Sequence, residues 1–101
     1  MIHVIASIEL KDGFRKEFLA SFNSNVPKVL AEDGCISYAP CVDVDTGIPV
    51  QELNPNVVTI VEAWDSVEHL NKHLAQPHMK DYVEKTAHMK VGLSIKVLEQ
   101  G

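Results

Sequence analysis

Residues 57–80 read VVTIVEAWDSVEHLNKHLAQPHMK. The opening run VVTIV is apolar on both faces and β-branched, as a strand buried in a sheet requires. Glu62 and Trp64 then share parity with Val58 and Ile60, so one face of a strand over Val57–Trp64 passes from aliphatic side chains to a carboxylate and an indole. Asp65 with Glu68 three residues on has capping-box spacing, which predicts a helix at once. Val67, Leu70 and Leu74 form its expected buried stripe. Pro77 marks a break before a second helical stretch carrying Met79, Tyr82, Val83 and Thr86.

Working outward, residues 2–10 place Ile2, Val4, Ala6, Ile8 and Leu10 on one wholly apolar face, a strand that turns at Lys11-Asp12-Gly13. From Phe14 the period changes: Phe14, Phe18, Phe22, Val26, Val29 and Leu30 recur at three or four residues. This predicts an amphipathic helix, broken or restarted at Pro27 and ending near Gly34. Cys35–Val44 reads as a second strand with Pro40 at an edge or bulge, followed by a polar loop over 43–56. A last strand spans Val91–Glu99. The order βαββαβ predicts an α+β domain over residues 1–101, a ferredoxin-like antiparallel sheet with helices on one face. With one face left bare and strands one and three read as apolar on both sides, a sheet-against-sheet homodimer with a pocket on each protomer is expected.

Composition excludes several function classes. The chain has 101 residues, 46% hydrophobic and 23% charged, with a formal net charge of -5. It lacks runs of Lys or Arg, so nucleic acid is not an expected partner. MIHVIASIEL has no basic opening segment and meets Glu9 early, and no apolar run approaches a membrane span, so the reading is cytoplasmic, without membrane contact. Cys35 and Cys41 would lie roughly 20 Å apart on one strand, too far for a disulfide, and are expected as free thiols. The chain has no Gly-rich phosphate loop, GxSxG elbow or CxxC pair, leaving nucleotide cofactors, serine hydrolysis and dithiol redox chemistry without support.

Three histidines crowd residues 69–78. His69 and His73, at i and i+4, share a helix face, and His78 or His88 is a conceivable third metal nitrogen. However, the HExxH glutamate is missing, and no metal is expected. His73 flanks the apolar stripe and is the better candidate for a pocket, whereas His69 reads as solvent-facing and His78 as a helix-start residue. Glu62 is either a rim carboxylate or a substrate contact, and the Tyr38 hydroxyl either orients a substrate or finds a carbonyl.

The stretches GCISYAP (34–40) and VTIVEAWDSVEHLNKHLAQPHMKDYV (58–83) together resemble the antibiotic biosynthesis monooxygenase family of dimeric α/β-barrel proteins. The resemblance rests on Glu62-x-Trp64, Ser66, Leu70, His73, Pro77 and His78, with Gly34-Cys35 and Tyr38 at the second strand. It implies a range of activities: cofactor-free oxygenation of quinols or anthrone-like polyketides, heme degradation, or isomerisation of a phosphorylated sugar. Where the heme-degrading branch carries its Asn, Trp and His ligand, this chain has Ala6, His73 and Val83.

The first expectation is therefore a cofactor-independent monooxygenase acting with O2 on a small electron-rich aromatic. In it His73 is the base, and Trp64, Tyr38, Glu62 and His78 bind substrate. The second is a non-catalytic dimer that binds a small molecule or serves a stress response. An isomerase of a small phosphorylated sugar is the third.

Overall fold

A computed structural model describes residues Met1–Gly101. Strand β1 (Ile2–Leu10) is followed by helix α1 (Arg15–Leu30), β2 (Cys35–Cys41), β3 (Val57–Trp64), α2 (Val67–Leu74), α3 (Pro77–Thr86), a 3-10 turn (Ala87–Met89) and β4 (Lys90–Leu98). The strands form one antiparallel sheet in the order β2-β3-β1-β4. This is the ferredoxin-like arrangement expected from the sequence, with β3 inserted between β1 and β2.

The predicted apolar face of β1 is the floor of the core. Ile2, Val4, Ala6, Ile8 and Leu10 are all buried, beside Val58, Ile60 and Trp64 of β3 and under Phe18, Phe22 and Val29 of α1. Phe18 and Phe22 are one helical turn apart, which is why both reach the sheet. Pro27 does not break α1. The proline ring forgoes one bond, the N–H that would meet the Asn23 carbonyl, while the Pro27 carbonyl still accepts the Ala31 N–H at 3.2 Å and the helix runs on to Leu30.

Several boundaries and faces differ from the expectation. β2 stops at Cys41 rather than Val44, because the chain turns into a loop held by its own side chains: Asp43 accepts the Asn54 N–H at 2.8 Å, and Gln51 Oε1 accepts the Thr46 hydroxyl at 2.6 Å. The N-cap of α2 is Ser66, whose hydroxyl accepts the His69 N–H at 3.3 Å. Asp65 instead gives its own N–H to the Gly34 carbonyl at 2.9 Å. On α2 and α3 the buried residues are Leu70, His73, Met79, Tyr82 and Thr86, while Val67, Leu74 and Val83 stand exposed. His73, not Leu74, completes the α2 stripe.

The sheet face away from the helices is mixed, not apolar. It carries His3, Ile5, Ser7 and Glu9 on β1, opposite Ala63, Val61, Thr59 and Val57 on β3. The bare apolar surface lies instead on β4. Leu93, Ile95 and Val97 pair with Ile8, Ala6 and Val4 and so project to the helix side, yet all three are exposed, Leu93 at 67%. α1 packs chiefly against β2 and α3, which leaves this edge strand uncovered. No helix is long and apolar enough to cross a membrane.

Candidate active site

His73, on the inner face of α2, is 2% exposed. Two rings pack against it and a third backs one of them. Trp64 of β3 lies with its centroid 4.6 Å away and tilted by 35°, Tyr38 of β2 stands edge-on at 5.4 Å, and Phe22 of α1 stacks on Tyr38 at 5.3 Å. Such packing locks the imidazole plane.

The partner of His73 is a residue that the sequence reading missed. Glu32, in the turn between α1 and β2, takes the His73 Nδ1 with both carboxylate oxygens, at 2.9 and 3.1 Å. The same carboxylate takes His78 Nε2 at 2.8 Å, so one acidic group holds two histidines. Exposure rises along this chain of side chains, from His73 through Glu32 at 8% to His78 at 19%. The turn that delivers Glu32 depends on Gly34, which has φ +79°, and a Cβ there would strike the His69 ring.

A cavity of about 140 Å³ opens beside His73. Ala6, Ile8, Ile60, Met79, Leu93 and Ile95 give it a largely apolar wall, and His73, Tyr38, Glu62, Tyr82 and Lys90 contribute its polar groups. No sealed side-chain nitrogen or oxygen lacks a hydrogen-bond partner. The His73 Nε2 and the Tyr38 hydroxyl have no protein partner, so these are the atoms open to the cavity that their residues line.

Burial governs the ionisation of the site. It lowers the His73 pKa below the ordinary imidazole value, against the opposing pull of the Glu32 carboxylate. Burial likewise raises Glu62 above the usual carboxylate range, opposed by the hydrogen bond that Trp64 Nε1–H donates to Glu62 Oε1 at 2.9 Å. Tyr38 is raised, first by burial and then by Glu62, which keeps its phenol protonated. The half-buried Lys90 has a lowered pKa, and its ammonium lies 5.2 Å from the Tyr82 ring centroid. Burial and the nearby Glu32 push the free Cys35 thiol up to about 11, which leaves it a poor nucleophile; Cys41 is also a free thiol.

Of the residues singled out from sequence, the cavity brings together His73, Tyr38 and Glu62. Trp64 is fully buried behind His73 and forms no part of the cavity wall, although it shares a strand face with Ile60 and Glu62, which do. His78 sits beyond Glu32, beside a separate small surface cleft. His69 and His73 do not converge. His69 Nδ1 and the Ser66 hydroxyl share a hydrogen bond at 2.7 Å, the His69 Nε2 lies 3.5 Å from Asp33, and no trio of His, Cys, Asp and Glu side chains is spaced to surround a metal ion. No residue of the 43–56 loop lines the cavity. Glu32 carried no sequence signal, being 41 residues from His73. Lys90 was missed because the last strand was read as starting one residue later.

The family profile described as antibiotic biosynthesis monooxygenase matches residues 1–85. "Probable quinol monooxygenase YgiN" of Escherichia coli K12 is 39% identical over 103 residues, spanning 100% of this chain and 99% of that protein. Among solved structures, a conserved protein of Methanosarcina mazei Go1 superposes with a TM-score of 0.84 at 23% identity, covering 99% of this chain and 92% of that one. A Shewanella oneidensis protein gives 0.83 at 24% identity over 98% and 89% of the two chains. These two structural likenesses establish the fold. The profile match and the identity to YgiN establish more: the chain belongs to the antibiotic biosynthesis monooxygenase family.

Proposed function

We propose that this chain is a cofactor-independent monooxygenase that oxidises a small quinol-like aromatic with O2, and that residues 1–101 act as one domain. The observation that carries the reading is the unpartnered Nε2 of a buried histidine facing an apolar cavity. The likeness to a protein named as a quinol monooxygenase supports it.

An electron-rich phenol becomes a competent reductant of O2 once it loses a proton. His73 Nε2 takes that proton, and the resulting phenolate passes an electron to oxygen within a site that keeps water away. Recombination places one oxygen atom on the ring carbon, and the other leaves as water. A quinol and O2 thus give a hydroxyquinone and water, with all four electrons drawn from the substrate. The protonated Tyr38 hydroxyl and Glu62 orient the substrate oxygens. Trp64 acts from behind, holding the His73 ring and the Glu62 carboxyl, and His78 acts through Glu32 rather than on the substrate.

The cavity volume bears on substrate class. At about 140 Å³ it is well below the roughly 300 Å³ and upward of drug-sized ligand sites, which favours a one- or two-ring quinol over an anthrone. The apolar wall ill suits a phosphorylated sugar. Ala6 and Val83 both line the cavity and offer no ligand to heme iron. The test is oxygen uptake by metal-stripped protein against single-ring, two-ring and anthrone phenols. Uptake with the smaller quinols is expected, and none across the panel would move the chain to a non-catalytic, ligand-binding role.

The proposal includes a homodimer. Leu93 and Ile95 of the uncovered row line the cavity, and a second copy packed on that row removes an apolar edge from water while closing the site. Light scattering after size exclusion is expected to give twice the chain mass at micromolar concentration, and the double variant Leu93→Asp, Ile95→Asp to give the monomer. A monomeric wild type would end this part of the proposal.

A further inference from the structure

The sharing of one carboxylate between two histidines needs an explanation beyond packing. Glu32 lies in a turn whose neighbours Ala31 and Asp33 are exposed, yet its own side chain is 8% exposed and folded inward against α2 and α3. A carboxylate with water at hand gains nothing by desolvation unless the partners it meets are worth the loss. Its two oxygens span His73 Nδ1 at 2.9 and 3.1 Å, and the second oxygen also meets His78 Nε2 at 2.8 Å.

An ionised carboxylate only accepts hydrogen bonds, so each of these nitrogens carries its proton toward Glu32. On a neutral imidazole a proton on Nδ1 leaves the lone pair on Nε2, which is the nitrogen facing the cavity. We propose that Glu32 is the positioning residue of the site: it fixes His73 in the Nδ1–H tautomer with Nε2 free to accept the substrate proton, and it then stabilises the imidazolium. His78 serves as the second donor that keeps the carboxylate turned toward His73. The inference rests on the reading of His73 as the base.

The proton count closes within this group. The substrate O–H loses its proton to Nε2, and His73 becomes an imidazolium paired with the unchanged Glu32 carboxylate. The new positive charge is met at hydrogen-bond distance instead of being stranded in an apolar site. The other titratable groups around His73 are His78 of α3, Tyr38 of β2, Glu62 of β3, and, across the cavity, Tyr82 of α3 and Lys90 of β4. None of these hydrogen-bonds the ring; Glu32 alone does.

The test reads the ring directly. In nitrogen-15 correlation spectra, wild-type His73 is expected as the Nδ1–H tautomer, and Glu32→Gln as a mixture of both tautomers. The same substitution should move the acid limb of the kcat/KM profile down by about one pH unit, because it removes the negative charge that favours imidazolium. His78→Gln should move the limb the opposite way, since His78 opposes protonation of His73. Glu32→Asp keeps the charge and should retain more of the wild-type profile than Glu32→Gln, and its spectra serve if Glu32→Gln fails to fold. A wild-type tautomer and pH profile in Glu32→Gln, while His73→Ala is inactive, would overturn the role of Glu32 alone. Full activity in His73→Ala would overturn the base reading beneath it.

Discussion

His73→Ala is expected to lower kcat/KM for quinol oxidation by about 10²-fold or more, the usual contribution of a positioned general base. The residual rate would come from quinol already ionised in solution, so it should climb steeply with pH where the wild type is flat. On the proposed mechanism the active species is neutral His73. Burial lowers its pKa below the ordinary value of 6.5, so the base stays available at neutral pH and the rate falls only on the acid side of that value. Stability follows the same sign. A histidine whose folded pKa lies below its unfolded one binds its proton more readily when unfolded, so its contribution is complete above about pH 6.5 and is lost as pH falls through the folded value. Glu62 runs the other way: its raised pKa favours the folded state below the unfolded carboxylate value, and that contribution is lost as pH rises through the raised one. Thermal melts of wild type and His73→Ala from pH 4.5 to 8 should therefore converge toward acid. A pH-rate profile for His73→Ala that overlays the wild type would remove the residue from the chemistry.

What could be read from sequence was whatever depends on period. The two-residue alternation of β1 and the four-residue spacing of Phe14, Phe18 and Phe22 are repeated signals, and each placed its element and most of its buried face, although Leu30, read as part of the α1 stripe, is exposed at the helix end. The α2 stripe misled because hydropathy ranks Leu74 above His73. Helical geometry places His73 one turn from Leu70 and its ring against Trp64, where aromatic packing and one charged hydrogen bond offset the cost of burying an imidazole. Strand parity correctly grouped Glu62 with Trp64, and their mutual hydrogen bond is the i, i+2 contact which that parity permits. Whether a core aromatic lines a cavity or backs it is decided by depth, a quantity that parity does not carry. Glu32 was beyond reach for a different reason: a contact between residues 32 and 73 exists only because the sheet returns β3 beside β2 and brings α2 over the α1–β2 turn. The bare apolar row likewise appeared on β4 rather than on the outer sheet face, because it depends on where the helices end.

Trp64→Ala is expected to cost about 3–5 kcal/mol of stability, the range for removing a large aromatic from a core. Small domains are stable by roughly 5–15 kcal/mol in total, so the variant should lose much of its margin and melt many degrees lower. The cost is at the upper end for a structural reason. Trp64 is 0% exposed and lies between the β1 floor and the His73 ring, a place where the backbone of a central strand cannot collapse to fill the void. Its loss also strips Glu62 of the indole N–H that partly offsets its burial. Trp64→Phe separates the two effects. It keeps an aromatic ring in the core while deleting the donor and some volume, so it should cost less than Trp64→Ala, about 1–3 kcal/mol, while raising the Glu62 pKa further. Carbon-13 titration of the Glu62 carboxyl would read that rise without reference to activity. If the indole serves only as packing, the Phe variant will leave the Glu62 titration where it was. If it sets the protonation of the cavity carboxyl, the titration moves up while the fold holds, and a parallel change in quinol KM would support the substrate contact proposed for Glu62.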